Sequence, residues 1–191
     1  ASQVFHVPFD EVTSEMRSAA KAVNFGIVYG ISDFGLARQL GISRKEAARY
    51  IDLYFMRYPG VHTYLKGCVE RAKQQGAATT LFGRRREMPE LKSSNYNTRS
   101  FGERVAMNMP IQGTAADIIK LAMVRVHNEL KARGMKSELI LQIHDELIID
   151  AVQEEADAAA EILKSCMENV VNLKVPLLAE VHTGHSWFDT K

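Results

Sequence analysis

A change of pattern near residue 137 divides this chain and limits the folds it can adopt. Before it, apolar residues recur at helical spacing; after it, β-rich runs at 139–143 and 147–149 flank a polar segment, His144 to Glu146. Two such runs joined by a short polar segment are typical of an antiparallel hairpin. Because the strands follow the helices instead of alternating with them, the predicted fold class is α+β, with helices covering one face of the sheet.

Capping and stop residues set the bounds of the predicted helices. These span about 14–29, 33–40, 43–58, 61–75, 98–108, 114–133 and 154–170. Pro110 breaks the fifth of them or begins the next, because proline lacks the N–H that a helix interior uses. Short strands are predicted at 78–82 and 176–182, in addition to the hairpin at 138–152.

The composition indicates a globular protein. Hydrophobic residues make up 46% and charged residues 25% of the 191 positions, and no apolar run approaches the roughly 20 residues of a membrane span, so no membrane partner is expected. The first residues lack a secretory signal and have the pattern of the last part of a helix, so we expect an excised fragment. Cys68 and Cys166 are far apart and have no metal-ligand spacing, which favours buried thiols in a reducing cytoplasm.

Charge is distributed unevenly. Residues 1–136 hold 21 Lys and Arg against 12 Asp and Glu, whereas residues 137–191 hold 3 against 11. A basic part that binds a polyanion and an acidic part that holds cations would produce this distribution. Chance clustering on solvated helices would produce it equally well.

Arg17, Lys21, Phe25 and Tyr29 are spaced by four residues in the first long helix. This spacing spreads their side chains over one face of about 120°. Two cations can neutralise a triphosphate, and two aromatic rings can pack against a sugar and a base. A solvated basic turn that leads into two core aromatics explains the spacing as well.

The polar segment of the hairpin holds adjacent carboxylates, Asp145 and Glu146. A carboxylate at such a turn is held rigidly yet exposed, and oxygen ligands suit Mg²⁺. An ordinary charged hairpin turn is the alternative. One aspartate cannot hold two metal ions, so a partner carboxylate has to come from elsewhere.

Arg104, Asn108 and Gln112 are also separated by four residues. Their donors can bind phosphates or minor-groove acceptors, or can cap a helix. Arg84 to Arg86 form a basic turn of the kind that contacts phosphate, although such triplets are common.

Together these segments resemble blocks of the family A DNA polymerases of the bacterial polymerase I type. The matching segments, in family order, are Arg17 to Gly30 (motif B), Thr80 to Arg86, Pro110 to Asp117, and Gln142 to Glu146 (motif C). The resemblance covers essentially the whole chain. It implies template-directed DNA synthesis, in which a dNTP is added to a primer 3′-hydroxyl. It also implies that residues 1–110 are the fingers, with the nucleotide-binding helix at about 14–29, and that residues 111–191 are the C-terminal part of an antiparallel palm sheet with its packed helices.

The resemblance also implies a role for each matching residue. The dNTP would be bound by Arg17, Lys21, Phe25 and Tyr29, and Lys21 would also be catalytic. Catalytic Mg²⁺ would be bound by Asp145 and Glu146. Template–primer DNA would be contacted by His144, Arg104, Asn108, Gln112, Arg84 and Arg85.

Nothing in the chain matches the family's motif A, which supplies the bridging metal ligand, or its thumb. The N-terminal palm and the thumb of the parent chain are therefore expected to be missing. The intact parent is expected to use two Mg²⁺ ions, and the isolated chain is expected not to extend primers.

Two other function classes remain open. Residues 35–50 have the helix, glycine turn and second helix of a helix-turn-helix DNA-binding module without catalysis. Asp145 and Glu146 could instead serve a metal-dependent nuclease or phosphohydrolase, although the additional ligands that such sites gather are lacking.

Overall fold

The computed structural model describes residues 1–5 and 7–190 and shows an α+β protein, which confirms the predicted class. The α-helices are α1 (Ser2–Phe5), α2 (Ser14–Val28), α3 (Asp33–Leu40), α4 (Arg44–Arg57), α5 (Pro59–Gln75), α6 (Tyr96–Ala132) and α7 (Ala156–Glu168). The strands are β1 (Ala77–Thr79), β2 (Arg85–Glu87), β3 (Glu138–Ile143) and β4 (Glu146–Asp150), which form two antiparallel pairs, β1–β2 and β3–β4. The chain divides into two compact units, residues 1–113 and 114–191.

Side-chain caps begin the first helices where the sequence predicts them. Thr13 accepts a hydrogen bond from the backbone N–H of Met16, and Ser32 accepts one from Gly35, so α2 and α3 are both capped. Ser43 and Glu46 form the predicted reciprocal capping box of α4. Each such cap stabilises its helix by about 1 kcal/mol.

The helices and glycine turn of the predicted helix-turn-helix segment are present as α3, a turn and α4. Gly41 ends α3 with a φ of 67°, in the left-handed region that favours glycine. The structure therefore confirms the helices of this segment, but two helices and a turn do not by themselves bind DNA.

The first unit is held by two apolar clusters. One joins α2 through α5 and contains Val23, Ile27, Leu36, Ala37, Ala47 and Leu65. The other joins α5, β1 and the beginning of α6, and contains Ala72, Ala78, Met88, Leu91 and Ala106. Burying a large aliphatic side chain of this kind contributes roughly 1.5–3 kcal/mol, so these clusters fix the orientation of the helices that carry the candidate site.

The strand predicted at 78–82 is shorter and lies earlier in the chain than expected. β1 ends at Thr79, and Thr80 to Gly83 form a turn closed by a hydrogen bond from the Gly83 N–H to the Thr80 carbonyl, 3.1 Å. Part of the basic segment then forms β2, in which Arg85 lies opposite Thr79. Arg84 to Arg86 were predicted as a basic turn after Gly83, but Arg85 and Arg86 belong to a short strand, and all three side chains are exposed.

Pro110 neither ends a helix nor begins one, contrary to the prediction. α6 runs without interruption from Tyr96 to Ala132. An interior proline costs roughly 3 kcal/mol in lost hydrogen bonding and steric conflict. Packing on both sides of it offsets that cost, because Ala106 and Val126 of the same helix are both 0% exposed. Tertiary burial therefore outweighs the local preference.

The second unit contains the predicted hairpin, packed against helices. Its apolar cluster contains Ile119, Ala122, Val126 and Leu130 of α6, Leu147 of β4, Ala159 and Ile162 of α7, and Val170. β3 and β4 pair in register from Ile143 opposite Glu146 back to Glu138 opposite Asp150, with an irregularity between Leu139 and Leu141. The two-residue turn at the end of this register is His144 and Asp145.

The strand predicted at 176–182 is not formed. Residues 176–182 contain no regular element, and the Ala179 N–H donates to the Glu168 carboxylate, 3.0 Å, instead of to a neighbouring strand. Leu177 packs against the apolar cluster whereas Leu178 is 83% exposed. Burial thus alternates along this segment, but a strand also needs a backbone partner. Within residues 1–5 and 7–190, no helix combines the length and the apolarity required to cross a membrane.

Candidate functional site

The exposed face of α2 and its C-cap carry the four residues predicted to bind a nucleotide. Arg17 and Lys21 are exposed, and Phe25 and Tyr29 keep 50% and 45% of their surface accessible. The Lys21 Nζ lies 5.8 Å from the centroid of the Phe25 ring, within the range of a cation–π contact. Both cations and both rings are therefore available to a ligand.

The opposite face of α2 is buried and fixes how the helix is turned about its axis. Val23 and Ile27 are 1% and 3% exposed. A side chain at Gly26 would bring its Cβ within 2.8 Å of the Ile31 Cγ2 atom, so glycine permits the close packing of Ile31 on the helix. Turning α2 would expose this apolar face, which holds the cationic and aromatic residues outward.

A hydrogen bond from α4 adds a second restraint on α2. The Tyr54 hydroxyl donates to the Asn24 Oδ1 atom at 2.9 Å, and the Tyr54 ring lies 5.0 Å from the Tyr58 ring, centroid to centroid. Burial raises the pKa of Tyr54, so its hydroxyl remains a donor at neutral pH.

The end of α2 meets α6 through Tyr29 and Gln112. The Gln112 side-chain amide donates to the Tyr29 hydroxyl at 2.5 Å. Gly30, with a φ of 69°, allows this approach, because a Cβ there would lie 2.5 Å from the Met107 Cε atom and 3.0 Å from the Arg104 Cγ atom. The chain thus reverses direction against α6 without a steric conflict.

A cavity of about 480 Å³ lies beside this hydrogen bond. Its lining includes Tyr29, Arg104, Asn108 and Gln112, so the structure brings four predicted site residues together. Arg86 and Phe101 also line it and were not among the predicted site residues. The signal for Phe101 was present in the sequence, because it precedes Arg104 by three residues and shares its helix face.

A second cavity, of about 640 Å³, borders the aromatic end of α2. Phe25, Tyr29 and Arg104 contribute to it. Tyr29 and Arg104 therefore border both cavities, whereas Arg17 and Lys21 line neither and stay on the open face of α2. Aromatic surfaces and amide donors therefore line the two cavities, and exposed cations lie on the same helix outside them. This arrangement suits a ligand with a base at one end and phosphates at the other.

The basic turn divides its arginines between different partners. Arg85 pairs with Glu87 at 2.9 Å and also donates to the Gln75 carbonyl at 3.2 Å. The Arg84 backbone N–H donates to the Thr80 hydroxyl at 3.1 Å. Neither Arg84 nor Arg85 lines the 480 Å³ cavity, whereas Arg86 does.

In the second unit, His144, Asp145 and Glu146 form the exposed tip of the hairpin. His144 has a φ of 51°, a value that non-glycine residues rarely adopt and that costs of order 1–3 kcal/mol. The Gln142 side-chain amide donates to the His144 carbonyl at 2.7 Å and supports the turn.

The base of the hairpin is joined by the carboxylate of Glu155. This carboxylate accepts hydrogen bonds from the backbone N–H groups of Lys136 and Ser137, the latter at 2.9 Å, and from the Ser137 hydroxyl at 2.7 Å. The same hydroxyl accepts from the Val152 N–H at 3.1 Å. These bonds, led by the one from the Ser137 hydroxyl, lower the pKa of Glu155. These bonds tie the two ends of the hairpin together at its base.

The hairpin tip carries two side chains that could bind a divalent metal ion. The exposed carboxylates of Asp145 and Glu146 are the hard oxygen ligands that Mg²⁺ prefers, and among the described residues neither forms an ion pair. No group of three or more His, Cys, Asp or Glu side chains gathers within the described ranges in a way that could hold a metal ion. The donors therefore fit Mg²⁺ in kind, but two carboxylates are only part of a ligand set.

Comparisons with known proteins account for nearly the whole chain. Residues 1–189 match the model of DNA polymerase family A. The chain is 57% identical over 191 residues to a DNA polymerase I of Caldicellulosiruptor bescii and 54% identical over 191 residues to a DNA polymerase I of Bacillus subtilis, covering all of this chain and 22% of each relative. It thus spans about a fifth of the length of these curated relatives.

A solved structure gives the same result. The fold is similar, with a TM-score of 0.95 and 44% sequence identity, to the POL domain of Pol1 from M. smegmatis in a complex with DNA primer-template and dNTP. The match covers 99% of this chain and 33% of that one. Family model, relatives and fold agree over both units, and the chain belongs to DNA polymerase family A.

Proposed function

We propose that this chain supplies the fingers, residues 1–110, and the C-terminal part of the palm, residues 111–191, of a template-directed DNA polymerase. The intact protein adds dNTPs to a primer 3′-hydroxyl on a DNA template. The observation that carries the proposal is the exposed face of α2, where Lys21 and Arg17 are followed by Phe25 and Tyr29 over a buried apolar side. The family match over residues 1–189 supports it.

In this proposal α2 binds the incoming nucleotide. Arg17 and Lys21 neutralise the triphosphate by charge-assisted hydrogen bonds. Phe25 packs against the sugar, and Tyr29 lies beside the new base pair. As pyrophosphate leaves, negative charge grows on its oxygens. Lys21 stabilises that charge and can donate a proton to the leaving group.

The hairpin tip binds divalent metal. Asp145 and Glu146 would hold it with additional carboxylates from other parts of the intact protein, because the described residues contain no group of three or more His, Cys, Asp or Glu side chains that could hold a metal ion. When bound, two Mg²⁺ ions would supply electrostatic stabilisation of the attacking and leaving oxygens. For the same reason the isolated chain of 191 residues is expected not to extend primers.

Template–primer DNA binds through amides, cations and the turn histidine. Arg104, Asn108 and Gln112 contact the duplex from α6, and His144 lies against the primer end. Arg84 and Arg85 bind phosphates. The excess of Lys and Arg in residues 1–136 favours a polyanion at this part of the molecule. We also expect the protein to work in the cytoplasm, where its two thiols stay reduced.

A primer labelled at its 5′ end and annealed to a longer template tests the proposal in the intact protein. With Mg²⁺ and dNTPs, we expect the primer to lengthen, and with a single dNTP only where that dNTP complements the next template base. A DNA-binding module would leave the primer unchanged, and a nuclease would shorten it. Either result from the pure protein would contradict the proposal.

A further inference from the structure

A third cavity, of about 470 Å³, lies on the buried side of α2, and none of the residues proposed to bind nucleotide, metal or DNA lines it. All of its lining residues belong to the first unit, and α2, α4, α5 and α6 all contribute to it. Its apolar lining is formed by Ile27, Ile31, Ile51, Leu65, Val69 and Met107. Ligand-binding cavities in proteins have volumes of about 300–1,000 Å³ and mainly apolar walls, so this one is large enough for a small organic molecule.

Two stacked rings contribute to the lining of this cavity. The Phe55 and His62 rings lie 4.3 Å apart, centroid to centroid, with an angle of 23° between their planes. Both residues are half-buried and line the cavity. Aromatic rings pair favourably with further rings in offset-stacked or edge-to-face arrangements, with centroids about 4.5–7 Å apart. The lining therefore favours a ligand that contains an aromatic ring system.

Charged residues complete the lining. The Lys73 ammonium lies 3.0 Å from the Glu103 carboxylate and 3.5 Å from the Glu70 carboxylate, so one lysine is shared by both acidic side chains. Lys66 also lines the cavity and is exposed. Within residues 1–5 and 7–190, Lys66 forms no ion pair or hydrogen bond. An exposed ammonium group beside an apolar cavity suits the acidic group of a ligand.

We propose that this cavity is a binding site for a small aromatic acid, a role separate from DNA synthesis. The ring system of the acid lies among the apolar side chains, beside Phe55 and His62. Its carboxylate or sulfonate stays at the exposed side, where the Lys66 ammonium pairs with it. Ile27 borders the cavity from the buried side of α2, whereas Lys21 is on the exposed side, so the acid does not compete with a dNTP for Lys21.

Fluorescence of 8-anilinonaphthalene-1-sulfonate, an aromatic sulfonate that brightens in apolar surroundings, tests this in the intact polymerase without DNA or nucleotide. Val69→Phe fills part of the cavity, and Lys66→Glu reverses a charge at an exposed position. Lys45→Glu is the matched control, because Lys45 is an exposed lysine that does not line the cavity. Lys21→Ala reports any probe that binds at the proposed nucleotide site instead. Thermal melting shows whether each variant is folded.

We expect Val69→Phe to lose a part of the wild-type fluorescence, the part that comes from this cavity. Lys66→Glu should weaken the binding behind that part by about 5-fold or more, whereas Lys45→Glu and Lys21→Ala should bind the probe as the wild type does. Wild-type binding by Lys66→Glu, an equal loss in Lys45→Glu, or a loss in Lys21→Ala would overturn the inference. If Val69→Phe does not fold, the comparison of Lys66→Glu with Lys45→Glu decides.

Two competitors of the same shape test the charge of the ligand. Naphthalene-1-acetate is an anion, and its primary amide is neutral. We expect the anion to displace the probe from the wild type at a lower concentration than the amide does, and to lose that advantage in Lys66→Glu. Equal displacement by both compounds from the wild type would overturn the assignment of an acidic ligand. Because no DNA is present, these results are independent of primer extension.

Discussion

Lys21 gives the clearest single-residue test of nucleotide binding, because it is exposed and its ammonium group lies 5.8 Å from the centroid of the Phe25 ring. Losing one charge-assisted contact costs about 1.5–3 kcal/mol. In the intact polymerase, Lys21→Ala should therefore lower kcat/KM for the dNTP by about 10- to 150-fold. Affinity for template–primer DNA should change little. Steady-state incorporation of a single nucleotide measures both.

Lys45→Ala is the matched control for that experiment, since Lys45 is also an exposed lysine and lies on α4. It should leave nucleotide incorporation unchanged. Unaltered kinetics in Lys21→Ala would remove Lys21 from the nucleotide site.

Glu155 makes the stability of the hairpin depend on pH. Its pKa is lowered from the ordinary value of 4.5, first by the Ser137 hydroxyl and then by the backbone N–H groups of Lys136 and Ser137. Because the folded pKa lies below the unfolded one, the stabilisation is fully present above the unfolded value. It is lost as the pH falls through the folded value.

Thermal melting of the wild type and of Glu155→Gln from pH 7 to pH 3 checks this linkage. The wild type should melt at the higher temperature at pH 7, and the two curves should converge as the solution becomes acidic. Glu154→Gln, a change at the exposed neighbouring position, should follow the wild type. A difference between wild type and Glu155→Gln that persists at pH 3 would contradict the assignment.

Sequence spacing was sufficient to predict which neighbours some residues have, and insufficient for others. Arg17, Lys21 and Phe25 share a face because helix geometry alone puts them there. The bonds between Ser137 and Glu155 join residues 18 positions apart, and no local rule predicts such a pair. The spacing of Phe101 from Arg104 indicates a shared helix face, but spacing does not distinguish an exposed phenylalanine from a core one, whereas its 45% exposure does.

The contact between α4 and α2 is testable through one hydroxyl group. Tyr54→Phe removes the hydrogen bond to Asn24 and keeps the ring. The free energy of unfolding should fall by about 1 kcal/mol, and KM for the dNTP should rise because α2 is less firmly oriented. Chemical denaturation and steady-state kinetics of the intact polymerase measure the two effects.

Tyr50→Phe is the control for that substitution. Tyr50 packs edge-on against Phe5, with ring centroids 5.9 Å apart, and its hydroxyl has no hydrogen-bond partner among the described residues. This variant should leave both stability and KM unchanged. An effect of equal size in Tyr50→Phe would show that the hydrogen bond to Asn24 has no special role.

Helices that begin with a capping residue were predicted to within a residue or two, because the cap is a local signal. The errors occurred where distant contacts decide the outcome. Pro110 is held inside α6 by burial on either side of it, and residues 176–182 form no strand, since the Ala179 N–H donates to the Glu168 carboxylate. The hairpin was predictable because both of its strands and its turn are adjacent in the chain.

Family membership was visible in the sequence as a whole, since four segments resemble one family in a single order. The match over residues 1–189 confirms it. The ligand set of the metal could not be predicted in full, because no group of three or more His, Cys, Asp or Glu side chains that could hold a metal ion gathers within residues 1–5 and 7–190. The opposite charges of residues 1–136 and 137–191 are consistent with a basic part that binds DNA and an acidic part that binds metal.

Single-turnover primer extension by the intact polymerase tests most directly whether the hairpin tip binds the catalytic metal. The two variants to compare are Asp145→Asn and Asp150→Asn. Both residues are exposed aspartates of the same hairpin, one at its tip and one at its base. Loss of a metal ligand removes several kcal/mol of transition-state stabilisation, so Asp145→Asn should slow extension on the order of a thousandfold or more. Asp150→Asn should extend primers as the wild type does. If Asp145→Asn also extends primers at the wild-type rate, the hairpin tip does not bind the catalytic metal and the proposed mechanism is wrong.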